Sequence, residues 1–180
     1  MSNNIHPTAI IYDNVVLGDN VTIGAYCIIG SPPEHKAHWP NSPYGVLIGD
    51  NVVITGHCTI DAGIERNTKI NKGAFIMKQV HIGHDVIIGE SVTIAPQCSI
   101  GGHVEIQPFA NIGMGAIIHQ FCIIGRSSMI GMGSVVTKKS QIWPYGKFAG
   151  NPVRHLGVNS TGEHLTGNEY WKIQQQWKNT

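Results

Sequence analysis

A parallel β-helix is the fold that the sequence predicts. Two observations carry that expectation: a branched aliphatic residue at every sixth position, and a glycine that often follows it directly. From Ile64 the step runs through Ile70, Ile76, Ile82, Ile88, Ile94, Ile100, Ile106, Ile112, Ile118, Ile124, Ile130, Val136 and Ile142. It also runs through Ile5, Ile11, Leu17, Ile23 and Ile29, and through Ile48, Ile54 and Ile60. A period of six matches neither the 3.6 of a helix nor the two of an ordinary strand. It fits short strands joined at corners, with Gly expected to supply corner backbone angles that other residues avoid. Three such flats make a triangular coil of 18 residues, and successive coils stack by parallel strand pairing about 4.8 Å apart. The aliphatic ladder then fills the prism. A sandwich of alternating strands would not keep so unbroken a phase.

The phase breaks twice. Between Ile29 and Ile48 lies "GSPPEHKAHWPNSPYGVL", which reads as a protruding Pro-rich loop over residues 31–47. Between Ile60 and Ile70 four surplus residues imply a smaller bulge near "DAGIERN". The β-helix is expected over 1–146 and a C-terminal extension over 147–180. Within the extension, Tyr170, Ile173 and Trp177 form an apolar stripe at i, i+3 and i+7, predicting one short helix over 168–178.

Composition narrows the function. Net charge is +1 and 13% of residues are charged, so no electrostatic footprint for nucleic acid or anionic membrane is present. No stretch reaches the roughly 20 apolar residues of an integral membrane segment. The start, "MSNNIHPTAI", has neither the basic flank nor the apolar run of a signal peptide, so a cytoplasmic location is expected. Cys27, Cys58, Cys98 and Cys122 are scattered without a C-x-x-C pair, which suits buried free thiols. Ten His residues are left to explain.

The 18-residue coil says which polar side chains meet. His84 lies over Gly102 and Gly102 over Gln120; Asp85 lies over His103, and His119 beneath Gly101. His84, Asp85, Gly102, His103, His119 and Gln120 therefore occupy adjacent columns on consecutive coils. His81 sits half a flat earlier, facing a neighbouring wall. Any one of these histidines reads best as a solvated surface residue. Several converging beside a glycine that cannot block approach read as a site. A zinc centre is one possibility, but no three-histidine set lines up in the columns, so a general base ranks above a metal. Imidazole titrates near neutrality, a carboxylate fixes its tautomer, and backbone N–H groups beside a Gly suit an oxyanion. The cluster has no Ser or Cys nucleophile, which favours direct transfer.

The segments "VHIGHDVIIG", "GGHVEIQPFANIGMGAIIHQFCIIG" and "AGNPVRHLGVN" resemble the UDP-N-acetylglucosamine acyltransferases of lipid A biosynthesis, and more broadly the hexapeptide acyltransferases. The resemblance runs from about His6 to Asn159. It implies a left-handed coil, whereas the general rule for parallel crossovers predicts the right-handed form. It implies that His84 removes a proton from the sugar 3-hydroxyl, that Asp85 supports this base, and that Gly102 N–H stabilises the oxyanion. His81, His103, His119 and Gln120 would line the sugar and acyl groove. Lys36, Asn151 and Arg154 would hold the nucleotide, and Met129 and Met132 would close the acyl groove. It further implies a homotrimer with sites between prisms, acyl carrier protein as thioester donor, and no bound cofactor or metal.

Two departures keep the donor and acceptor open. Only one short helix follows the β-helix, where the family carries several. The string "AGNPVR" is also common in CoA-dependent sugar acetyltransferases. The favoured expectation is acyl transfer from acyl carrier protein to the 3-position of a nucleotide-activated N-acetylated sugar such as UDP-GlcNAc. The alternatives are a CoA-dependent sugar O- or N-acetyltransferase and a non-catalytic trimeric β-helix scaffold.

Overall fold

A computed structural model describes residues 2–160 and 165–178. Among the described residues there are 22 strands and one helix, and the strands form three walls of a triangular prism. Each coil visits the walls in order. The nine-stranded first wall includes Phe75–Ile76, Thr93–Ile94 and Asn111–Ile112; the seven-stranded second wall includes His81–Ile82, Ser99–Ile100 and Ile117–Ile118. The six-stranded third wall includes Ile87–Ile88, Glu105–Ile106 and Ile123–Ile124. Register is 18 residues wherever the phase is unbroken: His81 pairs with Ser99 and Ser99 with Ile117.

The ladder from Ile70 to Ile142 is buried, and a second interior column of small residues (Val80, Val86, Cys98, Val104, Ala110, Ala116 and their equivalents) lies two positions before it. All four cysteines are free and buried, and they stand in this small-residue column. Removing a fully buried Ile from such packing costs about 2–5 kcal/mol.

Three details differ from the sequence expectation. Ile64 is not a rung: it lies half-buried in the bulge, and the ladder resumes at Ile70. Ile5, Ile11 and Leu17 keep the phase but stay partly exposed, as members of the first described coil, which is packed on one side only. Apart from Gly30 (φ 87°), where the Pro-rich loop departs, the glycines after the ladder residues are not the left-handed corner residues. A Cβ at Gly101 would stand 2.7 Å from the Gln120 nitrogen of the next coil, so that position is Gly because the coils approach closely. The left-handed backbone comes two residues later. Every sixth residue from Gly73 to Gly133 has positive φ, and most of these are not glycine; Asp85 (φ 61°) and His103 (φ 60°) are among them. The coils are left-handed. Their crossovers are tight corners rather than packed helices, so the sterics behind the right-handed rule do not operate.

Both phase breaks leave the prism at one corner. The Pro-rich loop joins the strand Ile28–Ser31 on the second wall to Val46–Ile48 on the third, so its free part is 32–45. The bulge joins Thr59–Asp61 to Thr68–Ile70 across the same two walls. His84 and Asp85 occupy that corner on the next coil, and Gly102 and His103 on the one after. Ser42 bridges the insertions, its one hydroxyl proton shared between the Tyr44 carbonyl at 2.7 Å and the Gly63 carbonyl at 2.9 Å, while Gly45 N–H donates to Asn67 Oδ1 at 2.8 Å.

At the far end, the strand Gly146–Gly150 adds to the first wall and turns back as the antiparallel strand Val153–Val158. Helix α1 (Gly167–Lys178) docks on this last coil through buried Tyr170, whose hydroxyl pairs with Trp143 Nε1 and His155 Nε2, both at 2.9 Å. Thr166 and Glu169 exchange hydrogen bonds at its start, a capping box that satisfies the first-turn donors.

Candidate active site

The second–third corner is built around the Asp85 carboxylate, which is 0% exposed. The bulge wraps it: the N–H groups of Ile64, Glu65 and Arg66 donate to Oδ1 at 3.1, 2.9 and 2.8 Å. Gly63 permits this turn, since a Cβ there would collide with the Arg66 carbonyl. Arg66 Nε also donates to the Asp85 carbonyl at 2.9 Å, and Asp85 N–H donates to Thr68 Oγ1 at 2.9 Å. Oδ2 takes His84 Nδ1 at 2.7 Å and faces His103 Nε2 at 3.6 Å. Burial alone would raise this carboxyl. The His84 hydrogen bond and the three amide donors overcome it and hold Asp85 below the usual carboxylate range.

An ionised Asp85 fixes the proton of His84 on Nδ1 and leaves the Nε2 lone pair available. That edge of the ring lies over Gly102: a Cβ there would stand 2.8 Å from both Cε1 and Nε2. Among the described residues no acceptor is paired with the Gly102 N–H. The rings of His84 and His103 meet edge to face at 5.0 Å, and His103 stacks on Phe121 of the next coil at 4.5 Å. A basic imidazole nitrogen thus faces an unobstructed backbone, with an aromatic floor continuing down the corner.

His84, Asp85 and His103 also place ligand atoms within 4.8 Å of one another, a set that could hold a metal ion. Their hydrogen bonds fit that role poorly. Asp85 Oδ1 is taken up by three amides, and Oδ2 already accepts the His84 proton that a cation would have to displace.

Other expected residues fall at varying removes. His119 and Gln120 follow on the next coil of the same corner and are exposed, His119 Nδ1–H donating to the Gln120 carbonyl at 2.9 Å. His81 lies on the second wall, with Nδ1 bonded to Thr59 Oγ1 at 2.8 Å. Lys36 is exposed on the loop, in a hollow of about 320 Å³ shared with Glu34, His35 and Trp39. Asn151 and Arg154 sit in the terminal hairpin, and no described hydrogen bond, ion pair or ring contact links them to the histidines. Met129 is on the first wall and Met132 at the first–second corner, 79% exposed. Within one chain the whole second wall separates Met132 from His84. A groove of about 730 Å³ along the third wall, between Val16 and Pro108, is lined by none of the histidines.

Three residues escape sequence reasoning. Arg66 reaches Asp85 only because the bulge folds back. His35 arrives on the loop, its ring 5.9 Å from that of His84 and edge-on to it. Asp61, 5% exposed, closes the second-wall side near His81 and His84. One signal was available: both insertions follow the ladder position that also precedes His84, so phase counting places them at its corner.

The fold and this corner define a hexapeptide-repeat β-helix, and the bacterial transferase hexapeptide family (six repeats) matches residues 67–102. More particularly, the chain is similar to UDP-N-acetylglucosamine acyltransferases. It is 34% identical over 78 residues to the acyl-[acyl-carrier-protein]–UDP-N-acetylglucosamine O-acyltransferase of Campylobacter concisus, covering 42% of this chain and 30% of that protein. It is 31% identical over 125 residues to the one from a Sulfurovum species, covering 48% of each. The matched part thus spans less than half of these curated relatives. Among solved structures, the Bacteroides fragilis UDP-N-acetylglucosamine acyltransferase matches with TM-score 0.85 and 26% identity, over 98% of this chain and 70% of that one. The Campylobacter jejuni enzyme matches with TM-score 0.72 and 27% identity, over 97% and 83%.

Proposed function

We propose that this chain transfers an acyl group from a thioester on acyl carrier protein to the 3-hydroxyl of a nucleotide-activated N-acetylated sugar, UDP-GlcNAc being the first candidate. The observation that carries this reading is the His84–Asp85 pair, whose basic nitrogen is aimed across Gly102. In the reaction, His84 Nε2 takes the hydroxyl proton as the sugar oxygen attacks the thioester carbonyl. Gly102 N–H meets the developing oxyanion. Collapse of the tetrahedral intermediate breaks the C–S bond, and the imidazolium returns its proton to the leaving thiolate. Asp85 stays ionised throughout and stabilises the imidazolium. The acyl-acceptor names of the relatives support the choice of substrates.

The chain acts as a homotrimer in this reading. His84 lies at an open corner, and Ile117, Met114, Met132 and Phe121 expose apolar surface on the second wall and its corners, as expected of faces that a symmetric partner covers. A neighbouring prism would also bring a Met132 towards His84, which its own chain holds on the other edge of the second wall. Lys36, Asn151 and Arg154 bind the nucleotide end, Arg154 supplying a fork for a diphosphate.

Thioester consumption with acyl carrier protein and CoA donors, against UDP-GlcNAc and amino sugars, tests the reading. Turnover with acyl carrier protein and UDP-GlcNAc is expected, from a species of three chain masses in light scattering. Turnover confined to acetyl-CoA would move the chain to the CoA-dependent sugar acetyltransferases. Full activity from a monomer would remove the trimer.

A further inference from the structure

Beside the His84–Asp85 pair the site holds a second imidazole and carboxylate whose contact is incomplete. Asp61 ends the strand Thr59–Asp61 and is almost fully buried. The Ser31 hydroxyl donates to its Oδ1 at 3.2 Å. Its Oδ2 faces His81 Nε2 at 4.0 Å, beyond hydrogen-bond reach. The other ring nitrogen of His81 is bonded to Thr59 Oγ1. When the Thr59 hydroxyl donates to Nδ1, the proton of a neutral His81 stands on Nε2, facing the carboxylate.

A gap of 4.0 Å is too wide for a direct bond and suits one inserted oxygen. An oxygen set to one side of the gap lies about 2.8 Å from both atoms, donating to Oδ2 and accepting from Nε2–H. A hydroxyl meets both requirements. A methylene meets neither, and an ammonium cannot accept. We propose that Asp61 and His81 clamp a second hydroxyl of the acceptor sugar, adjacent to the one His84 deprotonates. The inference rests on the acyl-transfer reading for its choice of sugar. When the 3-oxygen attacks and the 2-position carries an acetamido group, the adjacent hydroxyl is at C4.

The surroundings of Asp61 agree with that role. Burial pushes its carboxyl above the usual range, and Glu34 on the loop adds to this, while His81, Ser31 and His84 pull it down. Unlike Asp85, it has no nest of amides to satisfy it. Asp61 is thus a buried acceptor near both imidazoles, with capacity left for a ligand, and a bound hydroxyl supplies the donor it lacks.

The test compares UDP-GlcNAc with its 4-deoxy analogue, by kcat/KM and by calorimetric binding to the donor-free protein. Wild type is expected to prefer the hydroxylated sugar by about 10–100-fold, the size of one hydrogen bond to a charged group. In Asp61→Ala the preference should fall to within about threefold. Asp61→Asn, which keeps an acceptor oxygen, should retain part of it. A purely structural role would lower both sugars together and leave their ratio unchanged, and that result would overturn the clamp. Equal binding of the two sugars to wild type would overturn it as well, as would failure of both to bind. Discriminating binding without thioester consumption would sink acyl transfer and leave the clamp standing.

Discussion

One imidazole–carboxylate pair stands at a corner of the prism and another on the wall beside it, and their carboxylates differ in almost every respect but burial. Asp85 accepts three backbone amides and the His84 proton, and its carboxyl is held low. Asp61 accepts one hydroxyl, stands 4.0 Å from its imidazole, and its carboxyl is pushed up. The first pair is finished by the protein and holds its histidine in one tautomer. The second is unfinished and has room for a ligand. Burial alone does not determine what a carboxylate does; the number of donors the backbone supplies does.

The largest expected effect of breaking this contrast is at His84. His84→Ala should lower turnover by about 10²–10⁴ with circular dichroism and the mass in light scattering unchanged from wild type, since a general base contributes on that order. Near-wild-type rates in the purified variant would remove the base assignment. Gly102→Ala comes next. Its Cβ would sit 2.8 Å from the reacting edge of His84, and a displacement of about 1 Å costs about 10²-fold in rate. An unaffected rate would show that the space over Gly102 is not where the acceptor sits.

Stability should separate the two carboxylates by sign. A folded-state pKa below the unfolded value of about 3.9 contributes stability that is present above that value and lost as pH falls through the folded pKa. That is Asp85, and Asp85→Asn should cost about 3–5 kcal/mol in urea unfolding at neutral pH, by breaking a buried pair and its nest. A raised folded pKa does the reverse: the contribution is present below about 3.9 and lost as pH rises through the folded pKa. That is Asp61, so Asp61→Asn should leave stability at neutral pH unchanged or increased. Equal destabilisation by both variants would erase the distinction.

The smallest effect concerns acyl length. If Met132 of a neighbouring chain closes the groove, the enzyme prefers acyl groups of about ten carbons or fewer, and Met132→Gly extends that range. Each methylene newly buried contributes about 0.8 kcal/mol. Competition between donors of graded length measures it, and an unchanged profile would assign Met132 to packing between chains only.

Much of the fold was legible because a β-helix is nearly one-dimensional. Position i meets i+18 by strand pairing, so counting from Ile82, Ile100 and Ile118 placed His84 over Gly102 and Asp85 over His103 without coordinates. The count failed where the backbone left the ladder. Ile64 kept a six-residue spacing to Ile70 yet belongs to the bulge, because spacing alone does not distinguish a rung from an insertion that happens to end in phase. The glycines after the ladder residues read as carriers of the corner angles; except at Gly30 the angles fall two residues later, and those glycines answer instead to the distance between coils.

The sequence by itself determined the prism, its register and the meeting of His84, Asp85, Gly102 and His103, because all of these follow from a repeat whose neighbours are fixed by strand pairing. Only the tertiary structure decided what completes the site. Arg66, the bulge amides, His35 and Asp61 reach the corner through the backbone paths of two irregular insertions or of the strand that leads into one. No period governs those paths, and hydrogen bonds such as Ser42 to Gly63 and Gly45 to Asn67 set them. Met132 is a different case: the register already assigns it to another corner than His84, because a coil repeat specifies neighbours within a chain only.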